Sequence, residues 1–483
     1  MSATILGVDQ TRRIDAVFVN SPLKDYDKQP RINDFTLPVL GLAYLATAAA
    51  ERGLNVGVLD AEATGLGLRE VAAIINSAHP RWVGLNLLAP TYRHSVTLLR
   101  SLDPQIRVML GGHQAKAMPY EILNDDNIPR IDALVLGEGD TRVAALLGDD
   151  EARTRLPGVL WRGGVGKLLA SDGAASGHWL APDLDELPIV DRAYLADDPF
   201  LADDGRLESA VVGSRGCPYD CSFCGAARSA NQGEEWRLRS PRGILAELTH
   251  LEERHGVDTV RFVDDLFLAH PRFMRQCLAR FEADGVGDRL KWDATGRINV
   301  LSRVEDELLD LMVRTGCREV ALGIESGSER VLKYMGKRIT PEMTETAVRR
   351  LSEHGIKVKG YFILGFPTES ADDLIATEKH VHRLWEIADS AGGQFRASAF
   401  EFRPYPGTPE WHRLMASGRY RAEELLAYEH VDLAGEGADD AMRERDEFNF
   451  SVGIQFGEAS IDQVRKALVR ITVEQRARKL TAG

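Results

Sequence analysis

The stretch Val211 to Gly225, VVGSRGCPYDCSFCG, decides how this chain is read. Cys217, Cys221 and Cys224 stand C-x₃-C-x₂-C, and they are three of only five cysteines in 483 residues. Iron–sulfur clusters are held by thiolates at such short spacings, because a single loop must aim several sulfurs at one point. Three ligands on a four-iron cube leave one iron open to another group. The triplet follows a short apolar run and lies in a loop with Gly213, Gly216 and Pro218, which can curl tightly at little steric cost. The competing reading is a zinc site, but structural zinc takes four closed ligands. No fourth Cys or His stands near the triplet.

This loop resembles that of the radical S-adenosylmethionine (radical SAM) enzymes, down to the aromatic Phe223 before the third cysteine. The resemblance implies one 4Fe-4S cluster on Cys217, Cys221 and Cys224, with S-adenosylmethionine chelated by the open iron. It also implies reductive cleavage to a 5′-deoxyadenosyl radical, and an electron donor such as a flavodoxin or ferredoxin.

Composition sets the remaining bounds. The length predicts two or three domains. With 44% apolar and 27% charged residues and no long apolar run, the chain reads as a soluble protein without a membrane partner. No signal-peptide pattern opens it, and few cysteines outside one motif argue for a reducing, cytoplasmic setting. Lys and Arg number 59 against 73 Asp and Glu, a net charge of −14 that disfavours nucleic acid as a partner. Cys277 and Cys317 read as small buried hydrophobes in helical segments.

Upstream, apolar runs at 14–19, 55–60, 82–88, 106–110 and 132–136 alternate with helical periods such as 38–53. That pattern predicts a parallel sheet covered on both faces, with ligands beyond its carboxyl ends. Those ends carry Gly111-Gly112-His113 and Gly137-Glu138-Gly139. Glycines there let a large flat ligand approach the backbone, although they are also ordinary turn residues. The set resembles the cobalamin-binding domains fused ahead of radical SAM barrels, which makes these six residues candidate cobalamin contacts. The resemblance departs at one point. No histidine lies between Asn20 and Gly41, where relatives that ligate cobalt place one, so this loop is expected to leave the lower corrin face open. A vacant, structural domain stays open as an alternative.

Downstream, six strand–helix units between 209 and 404 predict a partial (β/α)6 barrel of the TIM type, with its chemistry at the strand carboxyl ends. There the resemblance marks Asp264 or Asp265 for adenosine or substrate, Arg297 for the methionine carboxylate, Glu325 and Ser326 for the methionine or ribose, and Gly365 in GFPTE for the adenine turn. Each has a plainer reading; Glu325, for instance, could be a helix N-terminal acid.

The expected architecture is α/β: a Rossmann-like domain over 1–150, a hairpin and linker over 151–205, a barrel over 206–404, and a small, mainly helical, substrate-facing cap over 405–483. The resemblance points first to cobalamin-dependent C-methylation of a small-molecule biosynthetic intermediate. The alternative is a radical dehydratase, epimerase or rearrangement enzyme, for example on a sugar or aminoglycoside diol. A methylthiotransferase would bring a second cysteine triplet, and residues 1–216 contain no cysteine.

Overall fold

The computed structural model describes residues 5–28, 31, 36–163, 168–171, 181–202, 205–430 and 450–481. Five short strands open the chain: β1 (Ala16–Asn20), β2 (Val56–Asp60), β3 (Trp82–Asn86), β4 (Arg107–Gly111) and β5 (Ala133–Val135). They pair in parallel, and β6 (Val159–Arg162) and β7 (Leu168–Ala170) add antiparallel, giving the order β2-β1-β3-β4-β5-β6-β7. Nearly every residue of the inner strands is buried, as a sheet covered on both faces requires. One face packs on Val71, Ile75, Leu98 and Ile122, the other on Leu42, Tyr44 and Leu146.

The hairpin assigned to the linker therefore belongs to the N-terminal sheet. Its alternation was legible, but its pairing with β5 depends on residues far away in sequence. The linker is also tethered. Leu184, Val190, Tyr194 and Leu195 are buried, and Arg192 donates to the Ala210 carbonyl and pairs with Glu247 at 3.0 Å.

The second sheet runs β16-β15-β14-β13-β12-β9-β8. Its parallel strands are β9 (Leu207–Val211), β12 (Thr259–Phe262), β13 (Lys291–Gly296), β14 (Cys317–Glu325), β15 (Lys357–Leu364) and β16 (Phe395–Glu401). The two-residue β8 (Phe200–Leu201) closes one edge antiparallel, and the curled sheet is the expected partial barrel. Between β9 and β12 a small ribbon of β10 (Ser214–Arg215) and β11 (Arg237–Leu238) frames the cysteine loop.

Two expectations are corrected here. Cys317 opens β14 rather than lying in a helix, because Gly316, at φ +95°, ends the preceding helical segment. The last helix, Ile461–Thr481, is not a substrate-facing cap. Val464, Ala467, Leu468 and Ile471 bury into the barrel core, at roughly 1.5–3 kcal/mol for each large side chain. Gln475 accepts the Ala397 N–H at 2.8 Å, satisfying part of the open edge of β16. The acidic stretch 433–447 lies outside the described residues. None of the described helices is long and apolar enough to cross a membrane.

Candidate active site at the junction of the two sheets

The carboxyl ends of both sheets meet at one cavity of about 400 Å³. Gly111, Gly112, His113, Gly137, Glu138 and Gly139 line it from the first sheet, and Ser214 to Gly216, Asp264 and Asp265 from the barrel. The sequence-predicted corrinoid residues are thus brought together with the entrance of the cysteine loop. Gly112 is required as glycine: at φ +91° a Cβ would stand 2.0 Å from Asn86 Oδ1. A Cβ on Gly111 meets nothing nearer than the Val135 carbonyl at 3.8 Å, so the cradle it leaves opens toward the cavity. Glycine at this rim and an apolar wall of Leu40, Leu45 and Met109 fit a bulky planar corrin.

The carboxylate of Glu138 is not free for that ligand. It takes Arg215 Nη1 at 2.7 Å and pairs with Arg237, while Arg215 also reaches Asp140 at 3.0 Å.

Asp264 and Asp265 brace the cysteine loop. Gly213 N–H donates to Asp264 Oδ2 and Gly216 N–H to Asp265 Oδ2, both at 3.1 Å. Burial pushes the Asp264 carboxyl up to about 7, and its Oδ1 has no hydrogen-bond partner. Asp265 faces open space in the cavity yet is ringed by protein, which pushes it up; the nearby His113 offsets part of that shift.

The loop itself is closely tied. Arg228 N–H donates to the Tyr219 carbonyl, Ser222 N–H to the Met335 carbonyl, and Asn231 to the carbonyls of Gly225 and Ala227. Burial pushes the Cys217 and Cys224 thiols up, so uptake of iron as thiolate releases protons. Cys277 and Cys317 are buried in the barrel core, away from this loop. Among the described residues no three Cys, His, Asp or Glu side chains already converge as a metal site, so it is the chemistry and short spacing of the three thiols, not a preset geometry, that suit a three-thiolate cluster.

Arg297 is held against this loop. Its Nη1 lies 3.7 Å from Cys221 Sγ, its guanidinium sits 4.0 Å from the Tyr219 ring, and Nη2 donates to the Lys337 carbonyl. Its Nε has no hydrogen-bond partner within the protein.

On the far side of the loop, Phe223, Glu325 and Gly365 converge. Lys337 pairs with Glu325 at 2.5 Å, and its ammonium stands 5.8 Å from the Phe223 ring. Phe223 meets Phe366 edge-on at 6.0 Å, next to Gly365 at φ +81°. Glu325 is not a helix acid: the next helix, Glu329–Tyr334, is capped by Ser328. Ser326 turns inward, sharing a 3.0 Å hydrogen bond with Thr377, and is fully buried, so its hydroxyl serves the fold.

Sequence reasoning missed Lys337, Arg215, Arg237 and Glu369. Glu369 accepts the Gly365 N–H, and burial pushes its carboxyl up to about 8. It could have been found as the last residue of GFPTE; the arginines could not, since their partners lie far away in sequence.

Comparison with known proteins agrees with this layout. Residues 211–381 match the Radical SAM superfamily and residues 34–147 the B12 binding domain. An uncharacterized methyltransferase of Pyrococcus horikoshii is 29% identical over 408 residues, covering 83% of this chain and 84% of that protein. The cytidylyl-2-hydroxyethylphosphonate methyltransferase of Streptomyces wedmorensis is 26% identical, covering 87% and 85%. Among solved structures, the radical S-adenosylmethionine methyltransferase TsrM from Kitasatospora setae, with cobalamin and a [4Fe-4S] cluster bound, superposes with a TM-score of 0.64 at 18% identity, covering 96% of this chain and 89% of that one. The radical SAM region implies a 4Fe-4S cluster with S-adenosylmethionine and the B12 binding domain implies cobalamin. The chain thus carries a B12 binding domain at residues 34–147 ahead of a radical SAM region at residues 211–381.

Proposed function

We propose that this enzyme is a cobalamin-dependent C-methyltransferase acting on a small molecule. The observation that carries the reading is the single cavity shared by the glycine-rich sheet edge and the cysteine-loop entrance. When bound, the cluster with S-adenosylmethionine supplies a hydrogen-abstracting radical, and the corrinoid supplies a methyl group.

The chain's own residues hold and separate these parts. Cys217, Cys221 and Cys224 hold the cluster, with Arg297 keeping a positive charge at Cys221. Phe223 and the Gly365 turn, set by the buried Glu325–Lys337 pair beside them, bind S-adenosylmethionine on one side of the loop. Gly111, Gly112, His113, Gly137 and Gly139 wall the corrinoid on the other. Asp264 and Asp265 hold the start of the cysteine loop at the cavity edge through the Gly213 and Gly216 N–H groups. A low-potential one-electron donor protein completes the set. The described residues offer no spanning helix for a membrane role, and the acidic net charge does not suit nucleic acid.

The test uses reconstituted protein with S-adenosylmethionine and a low-potential reductant. With cobalamin loaded, S-adenosylhomocysteine and 5′-deoxyadenosine are both expected; without it, 5′-deoxyadenosine alone. Cobalamin-loaded protein that forms 5′-deoxyadenosine but no S-adenosylhomocysteine would replace this reading with radical dehydration or epimerisation.

A further inference from the structure

Arg215 stands two residues before Cys217, on the ribbon that frames the cysteine loop. Its guanidinium spans Glu138 at 2.7 Å and Asp140 at 3.0 and 3.2 Å, and lies 4.9 Å from the Tyr44 ring. Arg237, the residue directly opposite Arg215 in the β10–β11 register, grips the other oxygen of Glu138. Two cross-strand arginines from the thiol-bearing segment thus hold two carboxylates of the 137–140 loop. That loop walls the corrinoid cavity through Gly137 and Gly139, and Tyr44 lines it too. The loop cannot yield independently, because buried Arg142 donates to the carbonyls of Leu136, Glu138 and Pro157. The guanidinium and carboxylate groups are at most 18% exposed, so solvent screens them little.

We infer that the clamp of Arg215 and Arg237 on Glu138 and Asp140 couples the corrinoid site to the cluster site, so that each cofactor raises the affinity for the other. The inference rests on the reading of the cavity as a corrinoid site. A ligand that orders one loop orders the other through four charge-assisted contacts, and the second ligand then meets a site already set. Thermodynamic linkage makes the effect equal in both directions. Arg215 and its partners are positioning residues in this account, since none of them needs to touch a reacting atom.

The test measures the affinity for hydroxocobalamin by anaerobic equilibrium dialysis, before and after the full chain is reconstituted with iron and sulfide. The wild type is expected to bind about tenfold more tightly once the cluster is present, within the usual range of such couplings. In Arg215→Met the ratio is expected to fall close to one, and iron to leave faster under a chelator; Arg215→Lys should recover part of the ratio. If Arg215→Met fails to fold, Glu138→Gln/Asp140→Asn removes the same contacts from the corrinoid side and leaves the cysteine loop unaltered. A wild-type ratio of one, or a ratio unchanged in these variants, overturns the coupling alone. Absence of hydroxocobalamin binding in either state overturns the corrinoid reading itself, and the coupling with it.

Discussion

Replacing Cys217, Cys221 or Cys224 singly by alanine is expected to abolish reductive cleavage of S-adenosylmethionine, leaving no 5′-deoxyadenosine above background. Each thiolate closes one iron, and no other cysteine can move in, because Cys277 and Cys317 are locked in the barrel core. The fold should tolerate the change, since the loop is held by the backbone bonds of Arg228, Ser222 and Asn231 and not by the thiols. A cost near 1 kcal/mol is expected for each. Cys277→Ala and Cys317→Ala should do the opposite, keeping iron and cleavage while losing a comparable amount of packing. Iron analysis beside thermal melts separates the two classes. A Cys221→Ala chain that still held four irons and cleaved S-adenosylmethionine would end the cluster assignment.

The second large effect concerns Glu325. The resemblance marks Glu325 for the methionine or ribose part of S-adenosylmethionine. The structure makes it a member of a buried pair: the side chains of Glu325 and Lys337 are 6% and 8% exposed. The site is built to fit the pair, since a Cβ on Gly323 would stand 2.4 Å from Glu325 Oε1 and 2.6 Å from Lys337 Nζ. The backbone bulges there, and Glu325 takes φ +68°, a conformation costing about 1–3 kcal/mol for a residue other than glycine. Glu325→Gln leaves Lys337 buried without its counter-charge, so a loss of about 3–5 kcal/mol is expected. Lys337→Met should cost a similar amount, and the double variant less than the sum of the two. Denaturant unfolding of the three variants checks this. Additive losses would show that the pair is not coupled in the folded state.

The parts of the molecule read correctly from sequence are those governed by local pattern. Apolar runs of five to eight residues between amphipathic periods set the strands of both sheets, and the cysteine spacing set the centre of the site. Cys317 was misplaced because a helix and the following strand abut with only Thr315 and Gly316 between them, so their apolar periods merge. The Ile461–Thr481 helix was recognisable as a helix, but amphipathicity does not name the surface it meets. Arg297 and Ser326 stand in their expected stretches, and their side chains are taken by Cys221 and Thr377. The clamp on Glu138 was invisible for a related reason: Arg215 lies 77 residues further along the chain, and only the fold sets the two face to face.

The account stands on one chain holding a cluster and a corrinoid at a shared cavity. An absorption spectrum of the full chain, reconstituted anaerobically with iron, sulfide and hydroxocobalamin and then freed of unbound material, tests this most directly. The account predicts the broad thiolate-to-iron band together with corrin bands, at about one cluster and one corrinoid per chain. Iron bands with no retained corrinoid would contradict it.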